Sequence, residues 1–210
     1  MSAALDIAAH PSVTLICGRS GSGKSTFTLR YLLNARGVSC RFVFDPAGEY
    51  AHRLRLPPQR TALDLEVGIR RGWCLWGTDL FPGEAQEAFL AFCDAAWEYG
   101  GALPGRKIVV VDEVWKYCTP QRIPPELAML VQEGRKRRLE TVFLTQRPNR
   151  LNESILGEVT ECVAFALTGE RGLLKVVNTC DVPEDEVAAL PNGAFVSVSD
   201  RGAVLRGRVF

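Results

Sequence analysis

Short apolar runs alternate with amphipathic stretches along most of the chain. The tail from Gly193 alternates apolar and polar residues around SDRG (199–202), which predicts a β-hairpin. Upstream, apolar runs predict buried strands and i, i+3, i+4 spacing predicts helices. The strands are predicted at 13–18, 40–45, 72–77, 107–113, 141–146 and 161–167, and the helices at 24–34, 83–101, from 124 towards 138, and at about 151–157. This alternation favours an α/β fold with a mostly parallel central sheet and helices on both faces.

The composition is typical of an ordinary globular protein, and it disfavours membrane-spanning, secreted and zinc-binding or disulfide-linked proteins. Of the 210 residues, 47% are hydrophobic and 23% charged, and the net charge of +1 does not by itself indicate a nucleic-acid partner. No apolar run approaches the roughly 20 residues that span a bilayer, and the first residues lack the basic start of a signal peptide. Seven cysteines lack C-x-x-C spacing, which favours buried thiols in a cytoplasmic protein over disulfides or zinc.

The stretch GRSGSGKST fits the P-loop pattern G-x-x-x-x-G-K-[ST] between a predicted strand and a predicted helix. Its glycines let backbone N–H groups converge on phosphate oxygens, and the helix N-terminus adds positive potential. An accidental Gly/Ser turn is the alternative. The predicted nucleotide-binding residues are Gly18, Arg19, Ser20, Gly21, Ser22, Gly23, Lys24, Ser25 and Thr26.

The P-loop pattern assigns a separate task to each polar residue at its end. Lys24 is expected to reach the β- and γ-phosphates of ATP, and the Ser25 hydroxyl to ligate Mg²⁺. Thr26 is expected to hydrogen-bond the α-phosphate. ATP and Mg²⁺ are therefore the predicted substrate and metal.

Two adjacent acids follow the apolar run KIVVV. Asp112 is placed to hold Mg²⁺, and Glu113 to orient or deprotonate the attacking water. A strand that simply ends in two solvated acids is the alternative. Together with the P-loop, the acids favour ATP hydrolysis over transfer to a small acceptor.

Gln146 ends the predicted strand TVFLTQ, which is expected beside the first strand or the Asp112 strand. A polar side chain there can hydrogen-bond the γ-phosphate and transmit its loss. A glutamine that caps the turn before Pro148 is the alternative.

These elements together resemble the HerA–FtsK superfamily of P-loop motor ATPases. The more specific segments are FVFDPAGEY (42–50) and EGRKRRLETVFLTQRPNRLNESI (133–155), and the resemblance covers residues 13–167. It implies a RecA-like P-loop NTPase core at 13–167, with a C-terminal helix and a small hairpin at 168–210. The predicted organisation is an N-terminal extension (1–12) and one domain (13–210).

The resemblance also implies a mechanism. Family members form rings, usually hexamers, that pump double-stranded DNA, so a hexamer or pentamer is expected. ATP lies between subunits, and a neighbour supplies an arginine that stabilises the transition state. Arg135 matches the family's helix-end arginine best and Arg147 is the second candidate, although the 135–138 cluster could be a solvated helix end.

The length of the chain narrows the resemblance to one subgroup of the superfamily. A bare motor domain of this length resembles the genome-packaging ATPases of icosahedral, internal-membrane viruses. That subgroup implies a partner protein at a capsid vertex or membrane, and a location in the host cytoplasm or at a virion vertex. The basic stretches 51–60, 68–71 and 116–122 are candidate DNA loops or ordinary solvated loops.

Other functions remain open from the sequence. They are another HerA/FtsK-like cellular or conjugative DNA pump, a Zot-like nucleotide-dependent phage or secretion assembly protein, and a small-molecule or nucleoside kinase. No LSGGQ-like signature supports an ABC-type ATPase.

Overall fold

An eight-stranded sheet forms the centre of the computed structural model, which describes residues 13–77, 84–167 and 169–210. Its strand order is β3-β2-β4-β5-β1-β6-β7-β8. The strands are β1 (Val13–Cys17), β2 (Val38–Phe44), β3 (Trp73–Trp76), β4 (Arg106–Val111), β5 (Leu139–Thr145), β6 (Glu161–Phe165), β7 (Ala194–Ser199) and β8 (Val204–Arg208).

The first six strands in this spatial order, β1 to β6, pair in parallel with one another. The C-terminal hairpin, β7 and β8, extends the sheet with antiparallel pairs. β5 lies between β4 and β1, so it neighbours both strands beside which Gln146 was expected. Because the parallel strands all end at one edge, the residues that follow β1, β4 and β5 come together there. The mostly parallel α/β fold with a C-terminal hairpin is confirmed.

Helices cover both faces of the sheet. In β1, Ile16 packs into one apolar cluster with Phe27 and Tyr50, while its neighbours Leu15 and Cys17 pack into the other. The second cluster takes its helical residues largely from α4 to α8. The helices are α1 (Lys24–Asn34), α2 (Glu49–Leu54), α3 (Ala62–Arg71), α4 (Ala85–Ala102), α5 (Pro125–Glu133), α6 (Glu153–Leu156), α7 (Glu170–Cys180) and α8 (Glu184–Ala189), with 3-10 turns at Val114–Lys116, Gly134–Arg137 and Pro148–Arg150.

Two helices, α2 and α3, occupy a region in which the sequence analysis placed none. The basic stretch 51–60 therefore begins within α2, and 68–71 is the C-terminal turn of α3 rather than a loop. The start of α3 did carry a signal: Thr61 Oγ1 accepts from Asp64 N at 3.1 Å, and Arg60 N donates to Asp64 Oδ2 at 3.1 Å. Thr61 is thus a side-chain N-cap, and Asp64 reaches back to the residue before it, in a variant of the capping box.

The predicted N-terminal extension, residues 1–12, lies outside the described residues, as does the predicted helix start at Gly83. Among the described segments, no helix combines the length and apolarity required to cross a membrane.

Candidate nucleotide-binding site

The loop between β1 and α1 leaves the helix N-terminus open. Gly21 and Gly23 adopt positive φ angles of 70° and 114°, which glycine accepts without a Cβ penalty. Gly23 is the N-cap residue, and no side chain of the described residues caps α1. The first N–H groups of α1 therefore point out of the helix without a side-chain acceptor, which is the arrangement that binds phosphate.

Lys24 spans this loop from its first helical position. Its buried Nζ donates to the carbonyl oxygens of Gly18, at 2.9 Å, and Arg19, at 3.0 Å. Burial lowers the pKa of Lys24, against the opposing influence of the Glu113 and Asp112 carboxylates. Among the described residues this buried ammonium donates to carbonyl oxygens, and it is suited to exchange them for the more negative oxygens of a phosphate.

The loop packs tightly against β6 and the chain's C-terminus. A Cβ on Gly18 would lie 2.7 Å from Phe165 Cβ, and one on Gly23 would lie 2.6 Å from Val209 Cγ2. Gly193 N also donates to Ser22 O at 3.1 Å. The C-terminal hairpin therefore braces the loop, a role that the sequence analysis did not predict.

Asp112 and Glu113 follow β4 at the same edge of the sheet. Burial, with the neighbouring Glu113 carboxylate, raises the pKa of Asp112 to about 6 although Lys24 opposes the rise. Glu113 lies in the left-handed region, with φ 52°, which is uncommon for a non-glycine residue and typical of functional sites. The two acids and the P-loop lysine thus share one electrostatic environment.

Gln146 reaches this cluster directly. It follows β5, and its Nε2 donates to Glu113 Oε1 at 2.5 Å. Trp115, which the sequence analysis did not single out, donates its indole N–H to Glu113 Oε2. Thr145, one residue before Gln146, accepts a hydrogen bond from Gly18 N at 3.2 Å, so the loop after β5 is anchored to the P-loop.

The DPAGEY segment builds α2 beside the P-loop. Buried Asp45 accepts from Glu49 N and Ala51 N, both at 2.9 Å, and so caps the helix. Arg53 then pairs with Glu49 at 3.1 Å and donates to Thr26 Oγ1 at 3.2 Å. Arg53 is a second site residue that sequence reasoning missed, although its i, i+4 spacing from Glu49 was a visible signal.

The two candidate trans arginines lie at opposite edges of the sheet. Arg135 is exposed in the 3-10 turn before β5, and Arg147 is exposed just after β5. The seven residues of β5 separate them, and at about 3.3 Å per residue that places Arg135 on the order of 20 Å from its own P-loop. Arg147 instead stacks on Trp115, with its Cζ 4.8 Å from the ring centroid.

The residues present fit a nucleotide with its metal. The open N-terminus of α1 suits phosphates, and the Asp112 carboxyl, crowded by a second acid, suits a cation. Ser25 follows Lys24 at the start of α1 and supplies a hydroxyl, and hydroxyl and carboxylate oxygens are the donors that Mg²⁺ prefers.

No protein-family model matches this chain. A curated relative is Protein P9 of Pseudoalteromonas phage PM2, which is 24% identical over 179 residues, covering 85% of this chain and 79% of that protein.

Solved structures match nearly the whole chain in fold. The genome packaging NTPase B204 from Sulfolobus turreted icosahedral virus 2, in complex with ATP-gammaS, has a TM-score of 0.72 at 16% identity, over 95% of this chain and 98% of that one. VirB4 of Thermoanaerobacter pseudethanolicus has a TM-score of 0.70 at 14% identity, over 96% of this chain and 90% of that one. The comparisons confirm the predicted resemblance: this chain has the P-loop NTPase fold that a viral genome-packaging NTPase also has.

Proposed function

We propose that this protein is an ATP-driven double-stranded DNA translocase, the motor ATPase of a viral genome-packaging machine. One observation carries the proposal: the P-loop lysine, two acids from the end of β4 and a glutamine from the end of β5 converge at a single edge of the sheet. The likeness in fold to B204, which is a genome packaging NTPase, supports the viral setting.

ATP is the substrate, and its phosphates bind the residues from Gly18 to Thr26. Lys24 exchanges its carbonyl partners for oxygens of the β- and γ-phosphates. Water attacks the γ-phosphorus, the bond to the β–γ bridging oxygen breaks, and ADP leaves with the bonding electrons. Glu113 accepts the proton of the attacking water. Ser25 and Asp112 would hold Mg²⁺, which would supply positive charge to the phosphate oxygens.

Gln146 connects hydrolysis to movement. Its amide donates to Glu113 in this structure, and the same amide can donate to a γ-phosphate oxygen. Loss of that phosphate returns the amide to Glu113 and shifts the loop after β5. Asn152 Nδ2 donates to Thr119 O at 3.1 Å and Pro120 O at 2.9 Å, so that shift passes to the 116–122 loop, a candidate DNA contact.

The active assembly is a homo-oligomeric ring, a hexamer or a pentamer, in which Arg135 completes the neighbour's site. Its position at the edge opposite its own P-loop favours a role in trans. The sheet runs without interruption from the P-loop strand to the C-terminal hairpin, which supports a single domain over 13–210. The ring works in the host cytoplasm or at a virion vertex, docked by a partner protein.

Steady-state ATPase measurements on the purified protein test this proposal. We expect Mg²⁺-dependent release of phosphate, which Lys24→Ala abolishes by removing a phosphate ligand. Glu113→Gln should lower kcat by about 10²–10⁴-fold, the usual contribution of a general base, with little change in nucleotide affinity. Turnover in Glu113→Gln equal to that of the wild type would contradict the catalytic assignment.

Double-stranded DNA separates a translocase from a nucleotide-dependent assembly protein. We expect duplex DNA to stimulate the ATPase and the stimulation to fall steeply with salt, because the contacts are to phosphates. A rate that is indifferent to DNA would favour the assembly function. Transfer of the γ-phosphate to an added small acceptor would instead identify a kinase.

A further inference from the structure

The Glu113 carboxylate accepts three N–H hydrogen bonds. Oε2 accepts from the indole of Trp115 and, at 3.4 Å, from Gln146 N, while Oε1 accepts from Gln146 Nε2 at 2.5 Å. A general base must turn a free lone pair towards the water that it deprotonates. The observed arrangement therefore holds Glu113 in place but restrains it as a base.

Two arginines lie close to the Trp115 ring. Arg147 Cζ lies 4.8 Å and Arg150 Cζ 5.4 Å from the ring centroid, and both side chains are exposed. A cation over an indole face draws electron density from the ring and makes its N–H a stronger donor. Within the described part of the chain, neither guanidinium forms an ion pair with a carboxylate, so both are free to bind an anion.

We propose that Trp115 is a positioning residue that restrains Glu113, and that a phosphate group bound by Arg147 and Arg150 releases it. The inference rests on the proposed role of Glu113 as the base. A phosphate draws the guanidiniums off the ring because a charge-assisted contact is stronger than a cation–π contact at an exposed site. The indole N–H then becomes a weaker donor, and Glu113 can turn to water.

The phosphate has two possible sources with the same chemistry. It belongs either to the backbone of duplex DNA or to the nucleotide of a neighbouring subunit. In both cases, ATP hydrolysis begins only after the phosphate group has bound to Arg147 and Arg150.

Trp115→Phe tests the restraint, because phenylalanine keeps an aromatic face for both arginines and removes the N–H. In ATPase assays without DNA, we expect the basal kcat to rise about ten- to a hundredfold, as for the loss of one charge-assisted hydrogen bond. Duplex DNA should then stimulate less than it does in the wild type.

Trp97→Phe is the matched control. Trp97 lies in α4 and also carries an arginine, with Arg137 Cζ 3.8 Å from its ring, yet it lies near the edge opposite the P-loop. Its replacement should leave both the basal rate and the DNA response unchanged. A basal rate in Trp115→Phe equal to or lower than that of the wild type would overturn the proposal.

Indole N–H resonances of ¹⁵N-labelled protein provide a readout that does not require turnover. The chain has four tryptophans, so each signal can be assigned by a Trp→Phe change. Glu113→Ala should move the Trp115 signal and leave the Trp97 signal in place. Separate titrations with duplex DNA and with AMPPCP should be repeated in Arg150→Gln, because AMPPCP at the subunit's own P-loop also changes the hydrogen bonds to Glu113. The titrant whose shift of the Trp115 signal requires Arg150 identifies the source of the phosphate.

The two proposals fail in different ways. If the wild type hydrolyses no ATP, the proposed function fails, and the resonances still decide whether Trp115 links Arg150 to Glu113. If neither titrant moves the Trp115 signal, or Arg150→Gln leaves the response intact, the release by phosphate is wrong even in an active ATPase.

Discussion

Glu140 shows how one buried charge depends on its partners. Its side chain is fully buried at the start of β5, where it accepts from Arg106 Nε at 2.8 Å and from the hydroxyl of Tyr31. Arg106 Nη2 also donates to the Tyr31 hydroxyl at 2.5 Å. Burial raises the pKa of the Glu140 carboxyl, and Arg106 and Tyr31 oppose that rise. Arg106 thus offsets the desolvation cost of burying the Glu140 carboxylate.

Arg106→Met should therefore destabilise the fold in a pH-dependent way. At about pH 8 we expect the free energy of unfolding to fall by about 3–5 kcal/mol, because a buried carboxylate loses its cation. Without Arg106 the pKa of Glu140 rises further above its unfolded value, so the loss of stability shrinks as pH falls and Glu140 takes up a proton. Urea unfolding from about pH 8 down to pH 5 measures this trend.

Arg70→Met is the control for Arg106→Met. Arg70 forms an i, i+4 ion pair with Glu66 at 2.5 Å on the exposed surface of α3. Breaking an exposed pair should cost at most about 1 kcal/mol at any pH. A loss in Arg106→Met that is equally small, or that stays constant with pH, would contradict the assignment.

The sequence predicted those residues of the candidate site whose positions follow from their spacing along the chain. Lys24, Asp112, Glu113 and Gln146 each occupy a fixed position relative to a strand end, and parallel strands bring such ends together. Trp115 was not predicted, because its indole contacts Glu113 and two arginines only when the loops after β4 and β5 fold against each other. Such contacts leave no periodicity in the sequence.

At the scale of elements, the C-terminal hairpin determines how firmly the P-loop is held. Val209 is buried and lies over Gly23, and its N–H donates to Gly193 O at 2.9 Å. Val209→Ala should lower the free energy of unfolding by about 1–2 kcal/mol through the lost packing. It should also weaken nucleotide binding, because the loop loses its support. Urea unfolding and titration with AMPPCP measure the two effects.

Val204→Ala, a change of the same chemistry in β8, is the comparison for Val209→Ala. Val204 is 47% exposed, so its truncation should change stability by less than about 0.5 kcal/mol and leave nucleotide affinity intact. Equal nucleotide affinity in the wild type and Val209→Ala would show that the hairpin does not support the loop.

Periodicity predicted the strands and the helices α1, α4, α5 and α6 within a few residues but missed α2 and α3. In 168–210 the resemblance implied one helix, and the part that the structure describes has two, α7 and α8. Six residues of α2 hold less than two turns, too few for a periodic pattern, and the helix depends on the buried Asp45 cap and on Gly48 with φ 68°. In α3, exposed Leu63 and Val67 blur the amphipathic pattern, so the capping pair at Thr61 was the better signal. Both helices are set by their caps and packing rather than by their composition.

At the scale of the whole molecule, the position of Arg135 bears on the proposed ring. The carboxyl edge of the sheet holds the proposed phosphate ligands and the proposed base, whereas Arg135 is exposed at the amino edge. An arginine that far away can stabilise a transition state only in a neighbouring subunit. Arg147 lies at its own subunit's carboxyl edge on Trp115, which suits the control of Glu113 better than a role as the trans arginine.

Mixing two inactive variants tests this arrangement. Lys24→Ala removes the P-loop lysine and Arg135→Ala removes the trans arginine, so each variant alone should lose most of its ATPase activity. In an equal mixture, about a quarter of the interfaces in a randomly assembled ring combine an intact P-loop with an intact arginine, and the mixture should recover up to about a quarter of the wild-type rate. Size-exclusion chromatography verifies that the subunits mix. Recovery with Arg147→Ala instead of Arg135→Ala would move the trans role to Arg147, and no recovery with either variant would place the entire site within one subunit.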